Sequence, residues 1–521
     1  MKYNIILILC LTFGFVSCYD DKGNYDYHEI DELTISGIPE EAISALHKAE
    51  NLMLSPVIIS KYEGEITADN PNYEFAYYYN RTAGGDFLTP SLLDSAKVKD
   101  LNILAELDPG SYTGWFRVKD LRTNIVTSAE FKMSVVTSTS VGWLVLCEEG
   151  TDRRVRVDMI AEIGDRVVFS RDLLSFLPES HGAYQMVYVS NIGSASAPFL
   201  NLYAEDASFL IYSNNGAFKS SDYSDATSSM FVHKTEDVIA KEDMCYTDVV
   251  VTKEGDVYQR ANESALYDVK INVDVPLTEP TYKMAPFVGT LCTTYGYNGV
   301  LYDKTNKEFK YFLSYAYNQE IKLKYLFDPT EPDADEKYFD WKTGKDMVYM
   351  EGTRQGRGVT FALMKDALGQ YSIYGITTGQ YQSSPTQFSY IEIEAGAAPG
   401  LESATCFAFC PTLPFLFYNN GSEVYLYDMA TRKATSVVSL PGETISMLKF
   451  NQLPTNGSRY PQLALDCQYR LAVGSAKTGA EAGSEGVLRF YDVPEFAAEL
   501  TQFGDTYSGF GVIKDIAYKA R

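Results

Sequence analysis

Four His and three Trp in 521 residues leave little material for a histidine-built metal centre or a serine–histidine triad. No H-E-x-x-H, G-x-S-x-G, P-loop or G-x-G-x-x-G followed by a helix occurs, so the common hydrolase, protease and nucleotide-binding signatures are missing. Positive charge is also short. Lys and Arg number 44 against 69 Asp and Glu, for a net charge of −25. Nucleic-acid binding rests on cations neutralising phosphates, and docking on anionic lipid needs a basic patch, so both are disfavoured. Apart from one run near the start, no apolar stretch approaches the roughly 18 residues that cross a bilayer. What is plentiful is Tyr (40) and Phe (28), within a chain that is 45% hydrophobic and only 22% charged. Such a composition excludes disorder and favours pleated, half-buried surfaces.

The amino terminus carries an address. Lys2 precedes an apolar run, Ile5–Val16, that is long enough for a secretory leader and too short to span a membrane. It ends in Phe15-Val16-Ser17-Cys18, which resembles a lipobox, with Phe15 a less usual occupant. Cleavage before Cys18 and acylation of its thiol are expected, since two or three acyl chains anchor stably at about 0.8 kcal/mol per buried CH₂. Residues 1–17 are therefore read as the leader and 18–30 as an acidic tether containing Asp20 and Asp21.

Of the remaining cysteines, Cys147, Cys245, Cys292, Cys406, Cys410 and Cys467, most sit in apolar strand-like runs and are expected as free buried thiols. Cys406 and Cys410 on one strand would lie about 13 Å apart at 3.3 Å per residue, too far for a disulfide.

Residues 31–137 read as a β-sandwich. Glu32–Ile38, Leu52–Ser60, Tyr73–Asn80, Leu101–Leu107, Tyr112–Lys119 and Ser128–Val136 are candidate strands, separated by turn formers such as Asp108-Pro109-Gly110. Glu40–Asn51 is expected as a short helix. Short strands at this spacing match an immunoglobulin-like domain. From 138 to 521 a Gly turn followed by an alternating strand recurs at Gly150, Gly216, Gly255, Gly299, Gly369, Gly421 and Gly486. Six steps from 150 to 486 average about 56 residues, as expected for blades of a β-propeller, about seven in number. A second, larger sandwich is the structural alternative. The strand Phe510–Tyr518 is expected to pair with Trp143–Cys147 and close the ring.

At this level the chain resembles Bacteroidetes PKD-like family lipoproteins. The resemblance rests on Cys18–Tyr25 with His28-Glu29-Ile30, Leu52–Val57, Gly142–Glu148 with Val157–Ile160, Lys345–Met350 and Lys514–Tyr518. It implies a fold of PKD-like sandwich plus propeller, with the acidic residues Asp20 and Asp21 as an export signal to the outer face of the outer membrane. It further implies a SusC/SusD-type importer as partner and an oligosaccharide or oligopeptide as ligand. The family supplies no catalytic residues, and neither cofactor nor metal is expected.

Candidate binding residues are few. Tyr338 and Trp341, after the acidic stretch Asp328–Glu336, place aromatics where a loop would let them stack on a ligand. The alternative for Trp341 is burial between strands. His181, beside Gly182 at a turn, is the histidine singled out, although a structural role suits all four. The acidic stretch lacks the alternating carboxylates of a calcium loop and reads as a solvated insertion. Trp115 and Trp143 are expected in the core. Three functions remain open: a lipid-anchored capture protein, a propeller glycoside hydrolase using axial carboxylates, and a scaffold binding only protein.

Overall fold

The computed structural model describes residues 31–81, 90–94, 97–139, 141–163, 166–189, 198–214, 217–244, 248–260, 265–290, 298–313, 322–327, 337–356, 358–379, 383–453 and 462–519. Residues 1–17, read above as a leader, and Cys18, Asp20, Asp21, Cys245, Cys292 and the stretch Asp328–Glu336 lie outside them. The described chain is nearly all β and forms two compact units, one mostly before residue 135 and one mostly after it.

In the amino-terminal unit the strand Tyr73–Arg81 carries the pattern Tyr-Glu-Phe-Ala-Tyr, which buries alternate residues against the core. Its neighbours are Gly110–Asp120 on one side and Ser91–Leu92 on the other, and Val126–Val136 flanks Gly110–Asp120 in turn. Tyr73 pairs with Asp120 and Arg81 with Tyr112. Phe75 stacks on Phe116 with centroids 6.2 Å apart, and Tyr77 meets Phe131 edge to face at 6.1 Å. A smaller sheet joins Leu33–Ser36, Val57–Ser60 and Gly64–Glu65, and Asn51–Leu54 pairs with Leu101–Leu104. Ser55-Pro56 interrupts the expected Leu52–Ser60 strand because proline has no N–H to donate to a ladder. Trp115 lies in a strand, as expected, but is half-buried, on the face opposite Phe116.

The expected helix at Glu40–Asn51 is absent. Ile43–Leu46 is a strand, followed by a turn in which Lys48 takes φ +56°. Good helix formers here yield to tertiary packing, which buries Ala45 completely.

Among the described residues, the second unit is a succession of seven antiparallel sheets. Their first strands in sequence are Gly142–Glu149, Ala183–Val189, Ile239–Met244, Gly299–Asp303, Asp346–Thr353, Phe407–Phe409 and Glu443–Lys449. The first sheet is completed by the chain's last strand, Val512–Lys519, which pairs with Gly142–Glu149 in the register Trp143 with Tyr518 and Val145 with Ile516. In the fourth, residues 284–289 bridge to Gly299–Asp303 at Met284–Asp303 and Gly289–Val300.

Hydrophobic runs such as Gly142-Trp-Leu-Val-Leu-Cys147 are continuous because both faces of each sheet are covered. Leu144 and Leu146 enter the core shared with the second sheet, whereas Trp143, Val145 and Cys147 enter the core shared with the seventh. Likewise Phe415 and Phe417 face the seventh sheet, and Leu416 and Tyr418 the fifth. A core of this kind lies between every pair of neighbouring sheets, and between the seventh and the first.

Candidate functional site

Each of the seven sheets sends one edge segment to a common cavity of about 580 Å³. Five of these are first strands. The other two are 286–290, for the fourth sheet, and the carboxy-terminal strand, for the first. The volume is within the roughly 300–1,000 Å³ range of small-molecule sites.

Aromatic rings form one part of the wall. Tyr349 stacks on Phe407 at 5.7 Å and meets Phe287 edge to face at 5.6 Å. The charged part is dominated by acids that already have partners. Glu242 Oε2 accepts from Asn201 Nδ2 and the Tyr203 hydroxyl, each at 2.7 Å, and Asp248 Oδ2 accepts from Arg260 Nε at 2.9 Å. Burial nonetheless pushes the Glu242 carboxyl above its ordinary value, against the opposing field of Arg260. Asp515 receives Lys449 Nζ at 2.5 Å and the Met186 N–H at 2.9 Å. Glu351 Oε2 accepts from the Tyr349 hydroxyl at 3.0 Å and the Phe409 N–H at 2.9 Å, and burial raises its pKa.

Other polar groups on the wall are not so engaged. Among the described residues, Thr290 Oγ1, Ser446 Oγ and Asn451 Nδ2 have no hydrogen-bond partner, each atom being sealed beneath the wall. Close packing holds the wall together beside them: a Cβ at Gly352 would collide with the Thr290 carbonyl, so this position admits glycine alone.

The binding candidates read from sequence, His181, Tyr338 and Trp341, lie elsewhere, and none lines the cavity. His181 is bridged to Arg154, and its Nδ1 lies 2.9 Å from Asp206 Oδ2, which raises the imidazole pKa. Its Nε2 is 3.5 Å from Glu179, and Asp152 completes an exposed group whose ligand atoms all lie within 4.8 Å of one another. Tyr338 is 44% exposed, with its N–H donating to Gln387 Oε1. Trp341 takes the alternative of burial between strands and is not a stacking platform. It is buried, edge to face with Phe339 at 5.2 Å and Phe309 at 6.4 Å, and its indole N–H donates to the Phe327 carbonyl at 3.3 Å. Burying the ring inside the fourth sheet's core outweighs exposing it. Cys147, Cys406, Cys410 and Cys467 are free thiols.

Sequence reasoning allowed for an axial site but named none of its wall residues as binding residues. Its wall comes from seven segments scattered between Tyr184 and Tyr518, and no local pattern connects them.

Comparison with known proteins agrees with the amino-terminal reading. Residues 18–179 match the PKD-like family model, which thus extends past the sandwich into the first sheet of the second unit. No protein of curated function matches the chain. Among solved structures, a quinonprotein alcohol dehydrogenase-like protein from Bacteroides thetaiotaomicron is similar at 10% identity and a TM-score of 0.36, covering 94% of this chain and 100% of that one. A DUF4784 family protein from Bacteroides caccae has 8% identity and a TM-score of 0.29, covering 78% and 95%. A chain of a yeast heterotrimeric nucleoporin complex has 7% identity and a TM-score of 0.36, covering 67% and 97%. The chain is thus a β protein that pairs a PKD-like amino-terminal part with a seven-sheet body.

Proposed function

We propose that this chain is a non-catalytic surface lipoprotein that captures oligomeric nutrients. In this reading Cys18 carries the lipid, Asp20 and Asp21 direct export, and the sandwich is a spacer. The seven-sheet body is a β-propeller closed by its carboxy-terminal strand, working beside a SusC/SusD-type importer at the outer face of the outer membrane. The observation that carries it is the cavity at which all seven sheets converge, whose acids are held by structural donors. A carboxylate held by structural donors, as Glu242 and Glu351 are, or by an ion pair, as Asp248 and Asp515 are, is a poor proton shuttle, whereas a polar wall with aromatic rings holds a ligand well.

The test has three parts. Mass spectrometry of the membrane-extracted protein should find Cys18 diacylated. Glycan and peptide arrays should retain at least one oligomer, and that oligomer should be recovered uncut. An unmodified amino terminus, or turnover of the bound oligomer, overturns the reading. Co-purification with an importer and no binding on either array would instead make the molecule a protein-only scaffold.

A further inference from the structure

Away from the cavity, His181 stands where three segments of the seven-sheet body meet. Residues 179–182, which lead into the second sheet, lie between the turn 150–153 of the first sheet and the turn 205–207 of the second. Backbone bonds hold them there. The Val155 N–H donates to the Ser180 carbonyl at 2.8 Å and the Gly182 N–H to the Arg153 carbonyl at 3.0 Å, while the Glu205 N–H donates to the carbonyls of both His181 and Gly182.

Asp206 grips His181 twice. Its Oδ1 accepts the backbone N–H at 2.8 Å, and its Oδ2 faces Nδ1 at 2.9 Å. An ionised carboxylate only accepts, so the ring proton sits on Nδ1 and the lone pair of the neutral imidazole falls on Nε2. A carboxylate behind the ring is the arrangement that orients metal-binding histidines. On the opposite side, Nε2 and Glu179 Oε1 are 3.5 Å apart without a hydrogen bond between them. Two donors at roughly 2.0–2.2 Å from a tetrahedral zinc ion stand about 3.4 Å apart, which is this spacing. The Asp152 carboxylate lies within 4.8 Å of both. The neighbouring cations are already taken, Arg153 by Glu148 and Glu205, and Arg154 by Glu149 and Asp172. Among the described residues Asp152 forms no ion pair with a Lys or Arg, and Glu179 meets only His181.

We propose that His181, Glu179 and Asp152 form a site for a divalent transition-metal ion of the zinc class, with Asp206 as the positioning residue behind the imidazole and water in the fourth place. The nitrogen donor sets the class, because calcium and magnesium draw on oxygen ligands whereas zinc accepts imidazole together with carboxylates. The ion clips the first sheet's turn to the entry of the second sheet. This inference is independent of the capture reading, since none of its residues lines the cavity.

The test is titration calorimetry on the purified full-length protein, stripped with EDTA, with zinc chloride and calcium chloride as probes. Zinc should bind with one equivalent and raise the melting temperature, and calcium should bind at least about tenfold more weakly. His181→Gln should weaken zinc at least about tenfold, and Asp206→Asn by about tenfold, as loss of a ring-orienting carboxylate does elsewhere. His233→Gln, at an exposed histidine outside the group, should change nothing. Nitrogen spectra of the four imidazoles separate positioning from mere structure: in the metal-free protein at pH 9, Asp206→Asn should shift His181 from its Nδ1–H tautomer toward Nε2–H. Should a variant fail to fold, the wild-type spectrum decides, because zinc should move one imidazole signal of the four. Zinc affinity unchanged in His181→Gln, equal binding of calcium and zinc, or no zinc binding at all overturns the site. An unaltered tautomer in Asp206→Asn overturns the role of Asp206.

Discussion

Two residues show how finely the seven-sheet body is fitted. Gly142 opens the first strand at φ +145°, and a Cβ there would strike the Ile160 carbonyl of the neighbouring strand. Gly142→Ala should therefore cost about 2 kcal/mol or more in chemical denaturation, with no change in the slope of the transition. Glu351 supplies a pH signature. Burial raises its pKa, so between its ordinary value of 4.5 and its folded value the folded chain binds more protons than the unfolded one. Stability then falls as pH rises through that window. Glu351→Gln keeps an oxygen for the Tyr349 hydroxyl and the Phe409 N–H but removes the titration. Its melting temperature should exceed the wild type's by about 2 °C or more at pH 8 and converge with it near pH 4. An unchanged difference across that range would mean the carboxyl does not titrate in the folded state. At this scale the sequence was partly readable. Trp143 declared itself as core by its apolar neighbours, but Trp341 stayed open between a loop platform and burial between strands, because its packing partners Phe309 and Tyr374 arrive from other strands.

Between strands, polar ladders add to the apolar cores. In the seventh sheet, Arg489 on Gly486–Asp492 reaches across Leu471–Lys477 to Glu443 on Glu443–Lys449, with paired N–H donors at 2.8 and 2.9 Å and Ser475 between them. Arg489 holds the Glu443 carboxyl below its ordinary value, so this contribution is present above pH 4.5 and is lost as pH falls through the folded pKa. Both side chains are only 11–12% exposed. Arg489→Met should cost about 3 kcal/mol, because it strands a buried charge, whereas Glu443→Leu combined with Arg489→Met should recover most of that loss. Urea titrations of the two variants at pH 7 test the contrast, and equal losses would show the pair to be surface-like. Strands of this kind were the most legible elements, since alternation and Gly turns are local. Gly150, Gly255, Gly369 and Gly421 do occupy hairpin turns with positive φ, while Gly299 and Gly486 begin strands instead and Gly216 lies outside the described residues. The segment Glu40–Asn51 was misread because its residues favour a helix in isolation, and only packing that buries Ala45 makes Ile43–Leu46 a strand.

For the seven-sheet body as a whole, the decisive element is the one placed last. Val512–Lys519 covers the open edge of Gly142–Glu149, adds Ile513, Ile516 and Tyr518 to the core between the first and seventh sheets, and brings Asp515 to Lys449. This pairing was readable because two apolar strands at opposite ends of a repetitive all-β region each needed a neighbour. The cavity was not, because it exists only once the seven edge segments converge. Truncation after Gly511 should consequently do more than remove eight strand residues. It exposes a long apolar edge, opens the core around Trp143 and leaves the Lys449 amine without its acid. We expect the truncated protein to lose its cooperative melt and to elute as aggregate in size-exclusion chromatography, and a synthetic peptide spanning 510–521, added during refolding, to restore part of the monomer. If the truncated chain instead melts like the full one and stays monomeric, the seven sheets are held by their neighbouring cores alone, and the carboxy-terminal strand is a dispensable cover on the cavity wall.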